Sequence, residues 1–310
     1  VDMGEFYGAL PFTLTGAQRR CVEEALTDMA SGRPMNRLCQ GDVGSGKTMV
    51  AAACVFFCVK NGCQAALMAP TEILARQHYE GLAPLLEPLG VRCALLTGSH
   101  TAKEKRNLAA ALAAGETDFI VGTHALITGG LEYRRLGLVV TDEQHRFGVG
   151  QRAALAGKGN RPHTLVMSAT PIPRTLALIL YGDLDVSVID ELPPGRRPVQ
   201  TSFVDGSYHP RIYKFLRRLV GEGRQAYIVC PQVSESEEGG DGRKAVTEYA
   251  AKLREEVFPD LQVAYVHGKM KPREKDAVMA AFAARETDIL VSTTVIEVGV
   301  DVPNAAVMVV

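Results

Sequence analysis

Gly41-Asp42-Val43-Gly44-Ser45-Gly46-Lys47-Thr48 satisfies the pattern G-x-x-x-x-G-K-[ST], between a short apolar stretch that reads as a strand and an eleven-residue apolar run, Met49 to Val59, that reads as a helix. Glycines at this spacing let successive backbone N–H groups point at phosphate oxygens, which the N-terminus of the following helix also attracts. Lys47 then reaches the β and γ oxygens and Thr48 ligates Mg²⁺. The loop therefore points to a nucleoside triphosphate as ligand. Asp142-Glu143-Gln144-His145 follows 94 residues after Thr48 and closes the apolar run Leu138 to Val140. At the end of a buried strand, Asp142 would hold the same Mg²⁺ through water, and Glu143 would orient or deprotonate the attacking water. Together the two motifs describe a triphosphatase.

Working outward, 310 residues suit two domains, each able to bury a core. With 46% apolar residues, 22% charged and a formal charge of −1, the chain reads as globular material and shows no basic excess of the kind many DNA-binding domains carry. Near-neutrality still permits a polymer partner held by backbone amides and hydroxyls. The longest apolar run is far short of the roughly 20 residues that span a bilayer, and no signal peptide opens the chain. A cytoplasmic location is the default expectation, without a membrane partner. Seven cysteines without a Cys-x-x-Cys pair suggest reduced thiols, and Cys54 and Cys58, four apart on an apolar helix, read as core residues.

The sequence also repeats itself. Shifted by 170 positions, residues 98–123 align with residues 268–293, and twelve of the 26 pairs are identical, among them Glu104/Glu274, Glu116/Glu286, Thr117/Thr287, Asp118/Asp288 and Thr123/Thr293. A second echo pairs Gln64 to Pro70 with Gln225 to Pro231. Short strand candidates alternate with helices, predicting a duplicated α/β core of parallel sheets. Strands are expected at Arg37–Gln40, Ala65–Met68, Cys93–Leu96, Phe119–Gly122, Leu138–Thr141 and Leu165–Ser168. In the second half they are expected at Thr201–Val204, Ala226–Cys230, Val263–Val266, Ile289–Ser292 and Ala306–Val309. The proline-rich stretch Asp190 to Pro198 reads as a linker, giving lobes at residues 1–192 and 193–310. Ser234 to Gly242, acidic and glycine-rich, reads as an exposed loop. Only the first half has a phosphate loop, so a single nucleotide is expected in a cleft between the lobes.

Further motifs sit where strands hand over to helices, the ligand-binding end of an open α/β sheet. Ser168-Ala169-Thr170 could bond the acidic motif and couple nucleotide state to the rest of the molecule. Thr71 and Thr123, with Lys269 and Thr294 in the second half, form a spaced row of N–H and OH donors suited to a phosphodiester backbone, or, for the threonines, simply cap helices. Glu297, Gly299 and Asp301 lie in an apolar context that favours a cleft-facing carboxylate, the alternative being a structural one. His145 either relays between the two ligands or is a hydrogen-bonded structural histidine. Arg211, Lys214, Arg217 and Arg218 read as a solvated basic helix face.

These stretches, with Leu10-Pro11-Phe12, Leu14-Thr15 and Gln18, Ala69 to His78, Met167 to Leu178, Tyr181 to Arg196 and Thr293 to Asn304, resemble superfamily 2 helicases of the DExH type. The resemblance is closer still to the RecG family of bacterial fork-remodelling helicases. Gly182-Asp183-Leu184-Asp185 and Glu191-Leu192-Pro193-Pro194-Gly195 separate that family from the transcription-repair coupling translocases.

The resemblance implies two tandem RecA-like lobes forming a monomeric, ATP- and Mg²⁺-dependent motor on branched or double-stranded DNA, in recombination and repair. It implies that Gln18 reads the adenine edge and that Phe12 packs near the base. Gly299 and Asp301 would approach the nucleotide from the second lobe, with Ser168, Thr170 and His145 coupling the sites and Thr71, Thr123, Lys269 and Thr294 tracking DNA. Members of that family carry an N-terminal wedge domain, a C-terminal arginine finger and a hook. A chain running from Val1 to Val310 is thus expected to be a motor fragment, its second lobe incomplete, that binds ATP and hydrolyses it poorly. Alternatives are a transcription-repair translocase, an RNA helicase core and a nucleotide-gated binding module.

Overall fold

The computed structural model describes residues 1–123, 125–128, 130–143, 161–170, 184–195, 199–230, 242–293 and 301–310. His145, Gly299 and Thr294 lie outside the described residues, as does the loop expected at Ser234 to Gly242 except for its last residue. The chain forms two compact units, Val1–Arg197 and Pro198–Val310. The division falls within the proline-rich stretch Asp190 to Pro198.

In the first unit seven strands form one sheet in the order β3-β4-β2-β5-β6-β1-β7. They are β1 (Asn36–Gly41), β2 (Gln64–Met68), β3 (Cys93–Leu96), β4 (Phe119–Gly122), β5 (Leu136–Glu143), β6 (His163–Ser168) and β7 (Asp185–Ile189). Every pairing is parallel. Parallel sheets are covered on both faces, so their central strands need no polar alternation. Both β2 and β4 are buried at every position. Helices α2 (Gly16–Ala30), α3 (Lys47–Lys60), α4 (Glu72–Leu86) and α5 (Ala102–Ala114) connect them, after a short α1 (Gly4–Ala9). The apolar run after the phosphate loop is α3, where Cys54 and Cys58 are buried core positions. Burial pushes the Cys54 thiol up to about 12, as expected of an inert core group.

The second unit has a four-stranded parallel sheet in the order β11-β8-β10-β9, from β8 (Gln225–Cys230), β9 (Val263–Val266), β10 (Ile289–Thr293) and β11 (Ala305–Val309). This order repeats β5-β2-β4-β3 of the first unit. The duplication extends to individual hydrogen bonds. Buried Gln64, opening β2, donates through Nε2 to Leu112 O (2.8 Å) and Thr117 O (2.7 Å). Gln225, opening β8, does the same to Phe282 O (2.7 Å) and Thr287 O (2.6 Å), the residues 170 positions further on. Asp118 accepts from Arg92 N at 2.9 Å and its counterpart Asp288 from Gln262 N at 2.8 Å. The repeated Gln and Glu-Thr-Asp signals therefore mark a bracket that ties a helix C-terminus to the two strands beside it.

One strand expectation needs correction, and one strand was not among those expected. Thr201–Val204 forms no strand, and Phe203 is 99% exposed; among the described residues its β-prone side chains find neither an adjacent strand nor an apolar layer to pack on. Conversely Asp185–Ile189, too short and polar to stand out, pairs with Arg37–Gly41 as the edge strand β7. Its Ser187 is buried against Arg37 Nη1 at 2.8 Å, and Arg37 in turn bonds Asp28 of α2 at 2.7 Å. Among the described residues no helix is long and apolar enough to cross a membrane.

Candidate nucleotide site

The site begins where β1 ends. Gly41 closes the strand under Ser45, and a Cβ there would stand 2.6 Å from Ser45 Oγ and 3.1 Å from Ile189 Cβ. Asp42, Val43 and Gly44 are exposed, whereas Ser45 is buried and its hydroxyl has no hydrogen-bond partner among the described residues. Gly46 adopts φ 95°, and a Cβ on it would be driven into the Gln18 amide. Both glycines are therefore dictated by space, and Gly46 by backbone conformation as well. Lys47 and Thr48 open α3. The Lys47 ammonium folds back onto the loop, donating to Gly41 O at 2.5 Å and Asp42 O at 2.8 Å.

Gln18 braces this loop from outside. Its Oε1 accepts from Thr15 N at 3.0 Å while its backbone N–H donates to Thr15 Oγ1 at 3.2 Å, a reciprocal cap on α2. Its Nε2 donates to Ser45 O at 2.8 Å. Phe12 is half exposed and lines a cavity of about 380 Å³ with Tyr7, Leu10, Thr13, Leu14 and Arg19. The segment after β7 docks on the same helix: Glu191 accepts from Ala17 N at 3.1 Å, and Asp190 pairs with Arg20 at 2.9 Å.

Sheet register brings the acidic motif to the loop. Gln40 and Glu143 are the two register partners of Ser168, and Cys39 and Asp142 those of Met167. Two strand spacings, roughly 10 Å, therefore separate the end of β1 from the end of β5. All three ends lie at the carboxyl side of a parallel sheet, where such folds bind ligands. Asp142 and Glu143 are the last residues of β5 itself, two beyond the expected strand end. Ser168 Oγ is 3.3 Å from Thr170 Oγ1 and accepts from Thr170 N at the same distance.

One contact had no counterpart in the sequence reading. His78, buried on α4, places Nε2 2.5 Å from Asp142 Oδ2. The available signal was a single polar residue in the apolar stripe Leu74, Ala75, His78, Leu82, which gives burial without naming a partner.

The row of donor candidates is mixed. Thr71 caps α4, its hydroxyl accepting from Leu74 N at 3.4 Å. Thr123 is half-buried at the end of β4, and Lys269 is exposed in the turn after β9. Asp301 is exposed in the second unit. On the basic helix His209–Gly221, Arg217 pairs with Asp260 at 2.6 Å and Arg218 lies over the Phe215 ring, as on a solvated face.

A phosphate loop opening a helix, with an acidic strand end two strands away, defines a P-loop nucleotide-binding α/β unit. The family model for DEAD/DEAH box helicases matches residues 15–179, and that for the helicase conserved C-terminal domain matches residues 211–310. The chain belongs to the DEAD/DEAH box helicases. Within them it is similar to the ATP-dependent DNA helicase RecG of Synechocystis sp., 53% identical over 306 residues covering 99% of this chain and 37% of that protein. It is 50% identical to RecG of Bacillus subtilis over 310 residues, all of this chain and 45% of that protein. The structure of RecG bound to a three-way DNA junction superposes with a TM-score of 0.84 at 47% identity, covering 98% of this chain and 39% of that one. The chain thus spans less than half the length of these relatives.

Proposed function

We propose that the chain is the motor of an ATP-driven helicase or translocase acting on branched DNA, replication forks and junctions, in recombination and repair. The observation that carries this reading is the placing of the Lys47-Thr48 loop after β1 and of Asp142 near the end of β5, two strands away in one parallel sheet, in a chain about half identical to proteins named as ATP-dependent DNA helicases. A relative of known structure is bound to a three-way DNA junction, which supports branched DNA as the substrate class.

The residues present fit a triphosphate. The exposed Asp42-Val43-Gly44 backbone and the N-terminus of α3 offer N–H groups, the Gly41 and Gly46 positions admit no side chain, and the unpartnered Ser45 hydroxyl lies beneath them. Lys47 would exchange its two loop carbonyls for phosphate oxygens, a change of partner without burial of an unpaired charge. Thr48 and Asp142 would hold Mg²⁺, which supplies charge neutralisation at the phosphate oxygens when bound. Glu143 would orient the attacking water and accept its proton. Gln18, already bonded to the Ser45 carbonyl, would register adenine against the loop, with Phe12 beside the base and Gly299 and Asp301 contributed by the second unit. Ser168, Thr170 and His145 would link nucleotide state to the DNA track formed by Thr71, Thr123, Lys269 and Thr294. We assign the motor to the bacterial cytoplasm as a monomer.

Stimulation of ATP turnover by different polymers tests the reading. A three-way junction should stimulate more than a linear duplex of equal length, and both more than RNA. Stimulation by RNA equal to or above that by junction DNA would contradict it, and stimulation only in the presence of RNA polymerase would point to a transcription-coupled translocase.

A further inference from the structure

Asp142 is the penultimate residue of β5, its side chain 18% exposed, and one carboxylate oxygen, Oδ2, is engaged by His78 Nε2 at 2.5 Å. An aspartate χ2 is a soft torsion with broad wells, so the plane of a carboxylate is set by its partners and not by its own rotamer. The strand fixes where Asp142 begins; His78 fixes how its oxygens are turned. The histidine is held in place in its turn. It lies on the buried face of α4 with Leu74, Ala75 and Leu82, and three residues separate α4 from β2, whose Met68 is the register partner of Thr141 in β5. His78 is therefore tied to a strand neighbouring the one that carries Asp142, and it reaches across from the helix packed beside it.

We propose that His78 is a positioning residue for the Asp142 carboxylate: its Nε2–H holds Oδ2 and so leaves Oδ1 turned for the metal that accompanies the triphosphate. The proposal rests on the reading of Asp142 as the metal-holding carboxylate. Partners of this kind behind a ligating group typically change metal affinity by about 10–100-fold when removed. A histidine whose only task is to satisfy a buried polar site would instead change stability and leave the metal requirement alone.

The test uses the whole chain and a fluorescent ADP analogue, titrated in EDTA and again over a range of Mg²⁺ concentrations. His78→Leu fills the space without a donor, and His78→Gln returns an amide N–H near the Nε2 position. The Mg²⁺ concentration giving half-maximal tightening should rise about tenfold in His78→Leu. Affinity in EDTA should stay within about twofold of wild type, and His78→Gln should recover most of the shift. An unshifted Mg²⁺ requirement in His78→Leu, or a His78→Gln variant as impaired as His78→Leu, overturns the proposal. If circular dichroism shows His78→Leu unfolded, His78→Asn, whose amide is one bond short of Oδ2, takes its place with the same expected and contrary results. Lys47→Ala separates the two levels of the account. Wild-type protein binding no more nucleotide than Lys47→Ala overturns the reading of the site; normal wild-type binding with an unshifted His78→Leu overturns only the role of His78.

Discussion

At Gly46 three requirements meet in one residue: φ 95°, the start of α3, and contact with the Gln18 amide, which itself holds the Ser45 carbonyl. A side chain there costs about 1–3 kcal/mol in a left-handed backbone conformation and displaces the glutamine that sets the loop. Gly46→Ala should therefore keep its circular dichroism spectrum while losing about tenfold or more in nucleotide affinity, roughly the worth of one charge-assisted hydrogen bond. Unchanged affinity in a titration of the folded variant would show that the loop tolerates a shift of Gln18. Residues of this kind are legible in the sequence, because a phosphate cradle leaves few options for what may stand at each place. The His78–Asp142 contact is not, since 64 residues separate the partners and periodicity says only that position 78 of α4 faces inward.

Among elements, the clearest regularity is the bracket built by Gln64 in one sheet and Gln225 in the other. Each buried amide serves the C-terminal end of a helix and the residue two before the next strand, so removing it strands two carbonyls in a low-dielectric interior. Gln64→Leu and Gln225→Leu should each lower unfolding stability by about 2–4 kcal/mol in urea titrations, the two acting in separate units. A cost below about 0.5 kcal/mol for either would mean that water replaces the amide and that the bracket is incidental. The duplication itself was readable from Glu-Thr-Asp and the glutamine echo, because a bracket needs the same residue types wherever it recurs. Strand membership at the sheet edges was not readable. Thr201–Val204 and Asp185–Ile189 differ in having a neighbour to pair with, and that neighbour lies far away in sequence: Arg37–Gly41 for β7, and none among the described residues for Thr201–Val204.

The whole molecule places one phosphate loop in a chain with two copies of the same four-strand core. With a formal charge of −1, it has no bulk attraction for a polyanion, which favours a grip made of backbone amides, hydroxyls and a few cations on strand ends. On the motor reading proposed above, such a grip would be strengthened or released by a small change at the nucleotide. That role requires Lys47, Thr48 and Asp142 to form a single triphosphate site. The most direct measurement is the affinity of the wild-type chain and of Lys47→Ala for Mg²⁺-ATP, by equilibrium titration. The account predicts saturable one-to-one binding by the wild type and a loss of roughly 10–100-fold in Lys47→Ala, the range for a hydrogen bond to a charged group. Equal affinities in the two proteins would contradict it.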